Sequence, residues 1–241
     1  MMQISRPRRT AAFFARLSRG SNGVAMVEFA LTLPIVLAVG CWGIELSSIA
    51  LANLRVSQYA LNLADNASRV GTDAGGGVSN MREVDVNDVL TGAKLDGAGI
   101  GLTTGGRITL SSLENIQQSY DTARVQRVHW QRCIGAMSGT GYDSTYGTVP
   151  TSAGSDATKA NAGTTVRNLG PPIAPVAAPD DTGVMFVEVN YLYKPLFGTI
   201  YTSPQIIHYI ASFVVRDNRS FVQLYNPSPT ATASTCDKHN A

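Results

Sequence analysis

The stretch Gly23-Val24-Ala25-Met26-Val27-Glu28-Phe29-Ala30-Leu31-Thr32-Leu33-Pro34 opens the one membrane-length apolar segment of the chain. No charge falls between Phe29 and Ile44, and Glu45 is followed by a mostly apolar run to Leu54. About 20 residues are therefore available to cross a hydrocarbon core about 30 Å thick. Glu28 stands at the head of this segment, where a carboxylate is costly. Insertion scales charge about 2.5–3.5 kcal/mol for an acidic residue at a helix centre and less near the interface. A carboxylate in that position calls for a partner.

Cleavage after Gly23 would supply one, because Val24 would then carry a new α-ammonium close to Glu28, and the two charges could neutralise each other within a subunit or between neighbours. A glycine, four small or apolar residues and then Glu28-Phe29 at the head of an apolar helix resembles the prepilin-peptidase motif of type IV pilins. More narrowly, Val27-Glu28-Phe29-Ala30-Leu31-Thr32-Leu33-Pro34 resembles the signature of the TadE-like pseudopilins of tight-adherence (Flp) pilus systems. The resemblance covers residues 20 to about 55. It implies a processing site formed by Gly23, Val24, Glu28 and Phe29, and a role in assembling a pilus for surface adhesion and biofilm formation. The implied partners are a prepilin peptidase, other pilins or pseudopilins and an inner-membrane assembly platform. The competing reading is an ordinary, uncut signal anchor with Glu28 at headgroup depth.

The chain has 241 residues, 44% of them hydrophobic and 15% charged, enough for one further domain beyond the anchor. Its formal charge of +2 hides an asymmetry, since Arg6, Arg8, Arg9, Arg16 and Arg19 precede Gly23 with no acid among them, leaving −3 for the rest. By the positive-inside rule, residues 1–23 form a basic cytoplasmic leader, whose removal the resemblance implies, and the remainder is exported. This predicts a single-pass protein of the bacterial inner membrane with a periplasmic C-terminal domain. The mildly acidic remainder has no electrostatic footprint for nucleic acid. A secretory signal peptide cut near Ala50-Leu51-Ala52 would instead release a soluble protein, but the apolar segment is longer than a usual signal core and passes directly into an amphipathic helix.

That continuation places Leu46, Ile49, Asn53, Val56, Ala60, Leu63, Ala67 and Val70 on one stripe, interrupted only by Asn53. The spacing predicts one helix from Val24 to Val70, about 70 Å long, with residues 24–54 as its transmembrane half and Gly71 and Gly75-Gly76-Gly77 closing it. Pro34 lacks an amide donor and is expected to bend or open the helix. Residues 81–93 have a helical or turn-like pattern, and the glycines from Gly97 to Gly106 read as a loop without a dinucleotide fingerprint.

Alternation then predicts strands. Ile108, Leu110 and Ser112 oppose Thr109, Ser111 and Leu113, and in 124–134 Val128, Trp130 and Ile134 oppose Arg127, His129 and Gln131. The strongest strand is 184–193, expected to be central, with Met185, Val187, Val189, Tyr191 and Tyr193 on an apolar face and Glu188 and Asn190 on a polar one. The run 206–215 comes next, and 221–225 would add an edge segment. An apolar helix stripe and an apolar sheet face have to bury each other. The predicted fold is therefore α+β: a long N-terminal transmembrane and amphipathic helix whose outer half lies on a small antiparallel sheet of three or four strands. This is also the pilin arrangement. Within the periplasmic domain, 55–241, the segments 137–182 and 226–241 have little pattern and read as a flexible loop and tail.

Cys41 lies in the apolar helix, whereas Cys133 and Cys236 fall in the exported part, where an oxidising periplasm would let them pair. Catalytic and metal motifs are missing: His129, His208 and His239 are scattered, with no Gly-x-Ser-x-Gly elbow and no phosphate loop. Asp143-Ser144-Thr145-Tyr146-Gly147 falls short of a von Willebrand-type metal site, which separates the chain from the larger TadG-like proteins of the same systems. No enzyme activity, cofactor or metal is expected. The resulting reading is a minor pseudopilin. The alternative is an uncut, membrane-anchored periplasmic adapter that binds an envelope partner through the loops of 137–182.

Overall fold

A computed structural model of the chain describes residues 21–241, so most of the basic leader lies outside the described residues. The chain divides between Ser48 and Ile49 into two compact units. Helix α1, Ser21–Arg69, runs through that division and continues through Pro34 without interruption of the helical assignment. Up to Ser48 its apolar side chains are mostly exposed.

In the second unit α1 packs through Ala52, Val56, Ala60, Leu63, Ala64 and Ala67. The stripe differs in detail from the one expected. Asn53 is exposed and donates back to the Ile49 carbonyl at 2.9 Å, while Ala52 and Ala64 take up buried positions. Four alanines let the helix backbone come close to its neighbours, and burial of Val56 and Leu63 contributes about 1.5–3 kcal/mol each. The helix end also differs. Gly71 does not adopt a left-handed conformation. The buried guanidinium of Arg219 closes the helix, donating to the carbonyls of Ala67 at 3.1 Å, Ser68 at 3.0 Å and Val70 at 2.8 Å. A cation at a helix C-terminus satisfies orphan carbonyls and opposes the macrodipole.

A two-stranded ribbon, β1 (Thr72–Asp73) with β2 (Ser79–Asn80), leads to α2, Glu83–Asp96. α2 starts where Asp85, at the third helical position, accepts from the Arg82 backbone N–H at 2.9 Å, the acidic half of a capping box. The main sheet comprises β3 (Gly106–Ile116), β4 (Val125–Ile134), β5 (Thr164–Thr165), β6 (Gly183–Tyr193) and β7 (Gln205–Val214). The order is β5-β4-β3-β6-β7 and all pairings are antiparallel. The architecture is α+β, as predicted.

Five strands replace the three or four expected, and β3 rather than β6 lies at the middle, although β6 is paired on both sides. Residues 221–225 form no strand; Tyr225 instead makes an isolated parallel bridge to Arg82. Val128 also faces the unexpected side. The ladder slips between Ser112 and Leu113, where Leu113 pairs with Val128 and skips His129. A bulge of this kind reverses the facing of the residues on either side of it relative to each other. Trp130 therefore joins the core beneath α1, while Val128 joins a second cluster with Leu113, Leu169, Ala178, Val184 and Phe186.

That second cluster shows what 137–182 does. Rather than a flexible insertion, it is a cover for the outer face of the sheet, with Leu169, Ala178, Tyr146, Val149, Val166 and Val176 packed there. Gly163 seats it: its φ is +79°, and a Cβ would collide with the Val128 carbonyl. Glu188 and Asn190, on the face expected to be solvated, are consequently buried, at 1% and 3% exposure. The tail is held as well. Arg107 donates to the carbonyls of Cys236, Lys238 at 3.0 Å and Gly135 at 3.1 Å, and Cys133 N–H donates to Ser234 O at 2.7 Å.

Candidate functional site

Gly23, Val24, Glu28 and Phe29 lie on the first turns of α1, all exposed. Val24 and Glu28 are four residues apart and so share one helix face. Side chains on a helix lean toward its N-terminus, which aims the Glu28 carboxylate back over the turn that begins at Val24. Nothing lies within 4 Å of where a Cβ on Gly23 would sit, so the position has open space around it.

Downstream, Leu31, Ile35, Val36, Leu37, Val39, Trp42 and Ile44 are exposed all round the helix. The helix is long and apolar enough to cross a membrane, and its most apolar window buries nothing within the chain. A helix apolar on every side needs an apolar surrounding. Two of its hydroxyls are satisfied internally: Thr32 donates to Phe29 O at 3.3 Å and Ser47 to Gly43 O at 2.9 Å. This meets the demand of a medium that offers no hydrogen bonds. Cys41 is a free thiol here. Glu45 is fully buried and has a polar partner, which its position in an apolar run did not reveal.

The other predicted pair is far from this segment in the chain. Cys133, on β4, and Cys236, in the tail, are joined by a disulfide with Cα atoms 4.8 Å apart. It lines a cavity of about 410 Å³ on the outer sheet face, with Arg107, Gln131, Asp143, Ser144 and His239. Arg107 is committed there, to three carbonyls, to His239 Nδ1 at 3.0 Å and to Asp143 at 3.4 Å. Nearby, Glu188 accepts from Ser144 Oγ and from Thr145 N–H at 3.3 Å, while burial pushes its carboxyl above the ordinary range. Apart from the cysteines, the sequence reading did not group these side chains, because a loop distant in sequence brings them together.

The histidines occupy three separate places. His129, itself buried, contacts Glu114 at 2.8 Å, His208 meets Asn190 on β6, and His239 meets Arg107. Among the described residues no three His, Cys, Asp or Glu groups are placed to hold a metal ion.

No curated protein and no solved structure matches the chain. Residues 23–72 match the family model described as TadE-like protein, a span that starts at the predicted cleavage glycine and ends just past α1. Over that span, its N-terminal helix, the chain is similar to TadE-like proteins.

Proposed function

We propose that the chain is a minor pseudopilin of a Flp-type pilus, anchored in the bacterial inner membrane by α1, with residues 55–241 in the periplasm. A prepilin peptidase removes residues 1–23, and the matured helix packs with other pilins or with the assembly platform. The role is structural rather than enzymatic. The observation that carries this reading is the exposed Val24-to-Glu28 face at the head of a helix whose most apolar window buries nothing within its own chain. Glu28 meets the Val24 α-ammonium of its own or a neighbouring subunit, so that only a correctly staggered subunit leaves no bare charge in lipid. The Cys133–Cys236 disulfide accords with an oxidising compartment.

The deciding experiment is the mass of the membrane-extracted protein, because a cut after Gly23, a cut near Ala52 and no cut differ by kilodaltons. The expected product begins at Val24. Gly23→Val should block its formation, and the open space around Gly23 makes this a test of the peptidase rather than of folding. A Gly23→Val chain that still loses residues 1–23 would sink the assignment. Glu28→Ala should insert normally and fail to assemble; normal piliation with no wild-type copy present would favour the uncut adapter.

A further inference from the structure

The unit that begins at Ile49 has two ends, and its most exposed aliphatic side chains gather at one of them. Arg219, just past β7, holds the last carbonyls of α1, so α1 and β7 finish at the same end. From Ala67 back to Ala52 the buried stripe of α1 is about 22 Å long. It shares one core with Met185, Val187, Val189 and Tyr193, a row of about 26 Å along β6. α1 therefore lies along β6 and β7, and its Ala52 end meets the opposite end of the sheet, where the 194–204 loop joins these two strands. α2 finishes at this end too. Just after it, Leu102 N–H donates to Gly97 O at 3.0 Å and Tyr191 Oη to Ile100 O at 2.8 Å, while Leu192 N–H donates to Gly105 O at 2.9 Å.

Among the described residues of this unit, six large aliphatic side chains are more than half exposed: Leu51, Leu54, Leu95, Leu196, Ile200 and Ile173. All but Ile173 lie at the end where α1 enters the unit. Leu51 and Leu54 are on α1, Leu95 is in the last turn of α2, and Leu196 and Ile200 are in the 194–204 loop. The loop is braced to present its pair. Pro195 and Pro204 bracket it, and Phe197 packs edge-on against Tyr201, ring centroids 6.0 Å apart, between Leu196 and Ile200. Lys194 is its one charged residue. On α1 no charge falls between Glu45 and Arg55, so the apolar run of the helix extends as far as Leu51 and Leu54.

We infer that the 194–204 loop is a second membrane contact, which sets Leu196 and Ile200 into the lipid interface around the point where α1 emerges. The inference rests on the reading of α1 as a membrane anchor. When residues up to Leu54 complete the span, side chains level with Leu51 and Leu54 stand at the headgroups. Tyrosine and lysine are the residues that suit this layer, an amphipathic ring lying at headgroup depth and a long stem carrying its ammonium out to the phosphates. Tyr201 and Lys194 supply both, and no acid in the loop opposes an anionic lipid. Exposed apolar side chains clustered at one place mark a contact surface, and here the chain itself leads that surface to lipid. A second contact holds the domain on the bilayer and fixes which of its faces a neighbouring subunit meets.

The test places the full chain, with Cys41→Ala and the Cys133–Cys236 bridge intact, in nanodiscs of phosphatidylethanolamine and phosphatidylglycerol that hold a single copy. An environment-sensitive fluorophore is attached at Leu196→Cys, Ile200→Cys, Ile173→Cys or Leu37→Cys, one site per chain; all four side chains are exposed. Iodide reads contact with water, and spin-labelled phospholipid reads contact with lipid. Labels at 196 and 200 should emit to the blue of the label at 173, lose its iodide quenching and be quenched by spin-labelled headgroups. The label at 37 should be quenched from the acyl chains. Iodide quenching at 196 and 200 as strong as at 173, with the label at 37 still quenched by lipid, overturns the loop contact and leaves the anchor standing. Shielding from iodide without quenching by lipid also overturns it and gives the loop to a protein surface. A label at 37 that lipid does not quench refutes the anchor, and the loop contact with it.

Discussion

The chain up to Ser48 and the unit beginning at Ile49 reverse the usual relation between polarity and burial. From Val24 to Ile44 the large apolar side chains are exposed. From Ile49 onward, Arg107, Arg132, Glu83, Glu114 and Glu188 are buried. The first pattern is stable only if lipid or another apolar surface surrounds it. The second is stable only because each buried charge has partners: Arg132 with Glu83, Glu114 with His129, Arg107 with the tail carbonyls, Glu188 with Ser144 and Thr145. The contrast shows that burial tracks the surroundings each segment has to match, not polarity taken residue by residue.

The most severe break falls in the first region. Val36→Arg together with Val39→Arg adds about 2.5–3.5 kcal/mol of insertion cost for each charge if α1 lies in lipid. Cell fractionation should then show the chain lost from the membrane. Unchanged membrane abundance would mean that something other than lipid covers this helix.

In the second region, Arg132→Leu strands the Glu83 carboxylate at the start of α2 and should cost about 3–5 kcal/mol. Urea unfolding monitored through the buried Trp130 reads this loss. Arg132→Leu combined with Glu83→Leu should recover most of it, because removing both charges removes the need for pairing. A double variant as unstable as the single one would show that the pair does more than neutralise itself.

The disulfide comes next. Cys236→Ser opens a link across a sequence separation of 103 residues. Removing a native disulfide costs about 2–5 kcal/mol, toward the upper end for a loop this long. In exported wild-type protein a thiol reagent should label neither Cys133 nor Cys236 without prior reduction; labelling of both would refute the bridge.

The smallest effect is a pH dependence. Burial raises the Glu188 carboxyl, so the folded chain keeps a proton that the unfolded chain gives up above about pH 4.3. Stability from this group therefore falls as pH rises from there through the raised folded value, and levels off above it. Glu188→Gln should remove that fall and slightly raise the unfolding midpoint at neutral pH. An unchanged pH profile would mean that Ser144 and Thr145 fully offset the burial.

Legibility depends on where each signal lives. Facing along β6 is readable because alternation is local, with Met185, Val187 and Val189 on the face beneath α1 and Glu188 and Asn190 on the other. Alternation alone misplaces Val128 because the bulge beside Leu113 is a property of two strands, not of either one. Glycines near the end of α1 suggest its closure, whereas Arg219, about 150 residues later, performs it. The sequence pattern of 137–182 carries no period because its apolar residues meet the sheet singly, as loop residues do.

What the sequence alone determined is the apolar helix, the candidate processing residues at its head, the main strands and the α+β class, since hydrophobic periodicity and charge asymmetry are written in neighbouring residues. Only the tertiary structure decided the fifth strand, the cover over Glu188 and Asn190, and the cation that ends α1. Each of these depends on groups far apart in sequence, whose meeting is set by chain packing and leaves no local pattern to read.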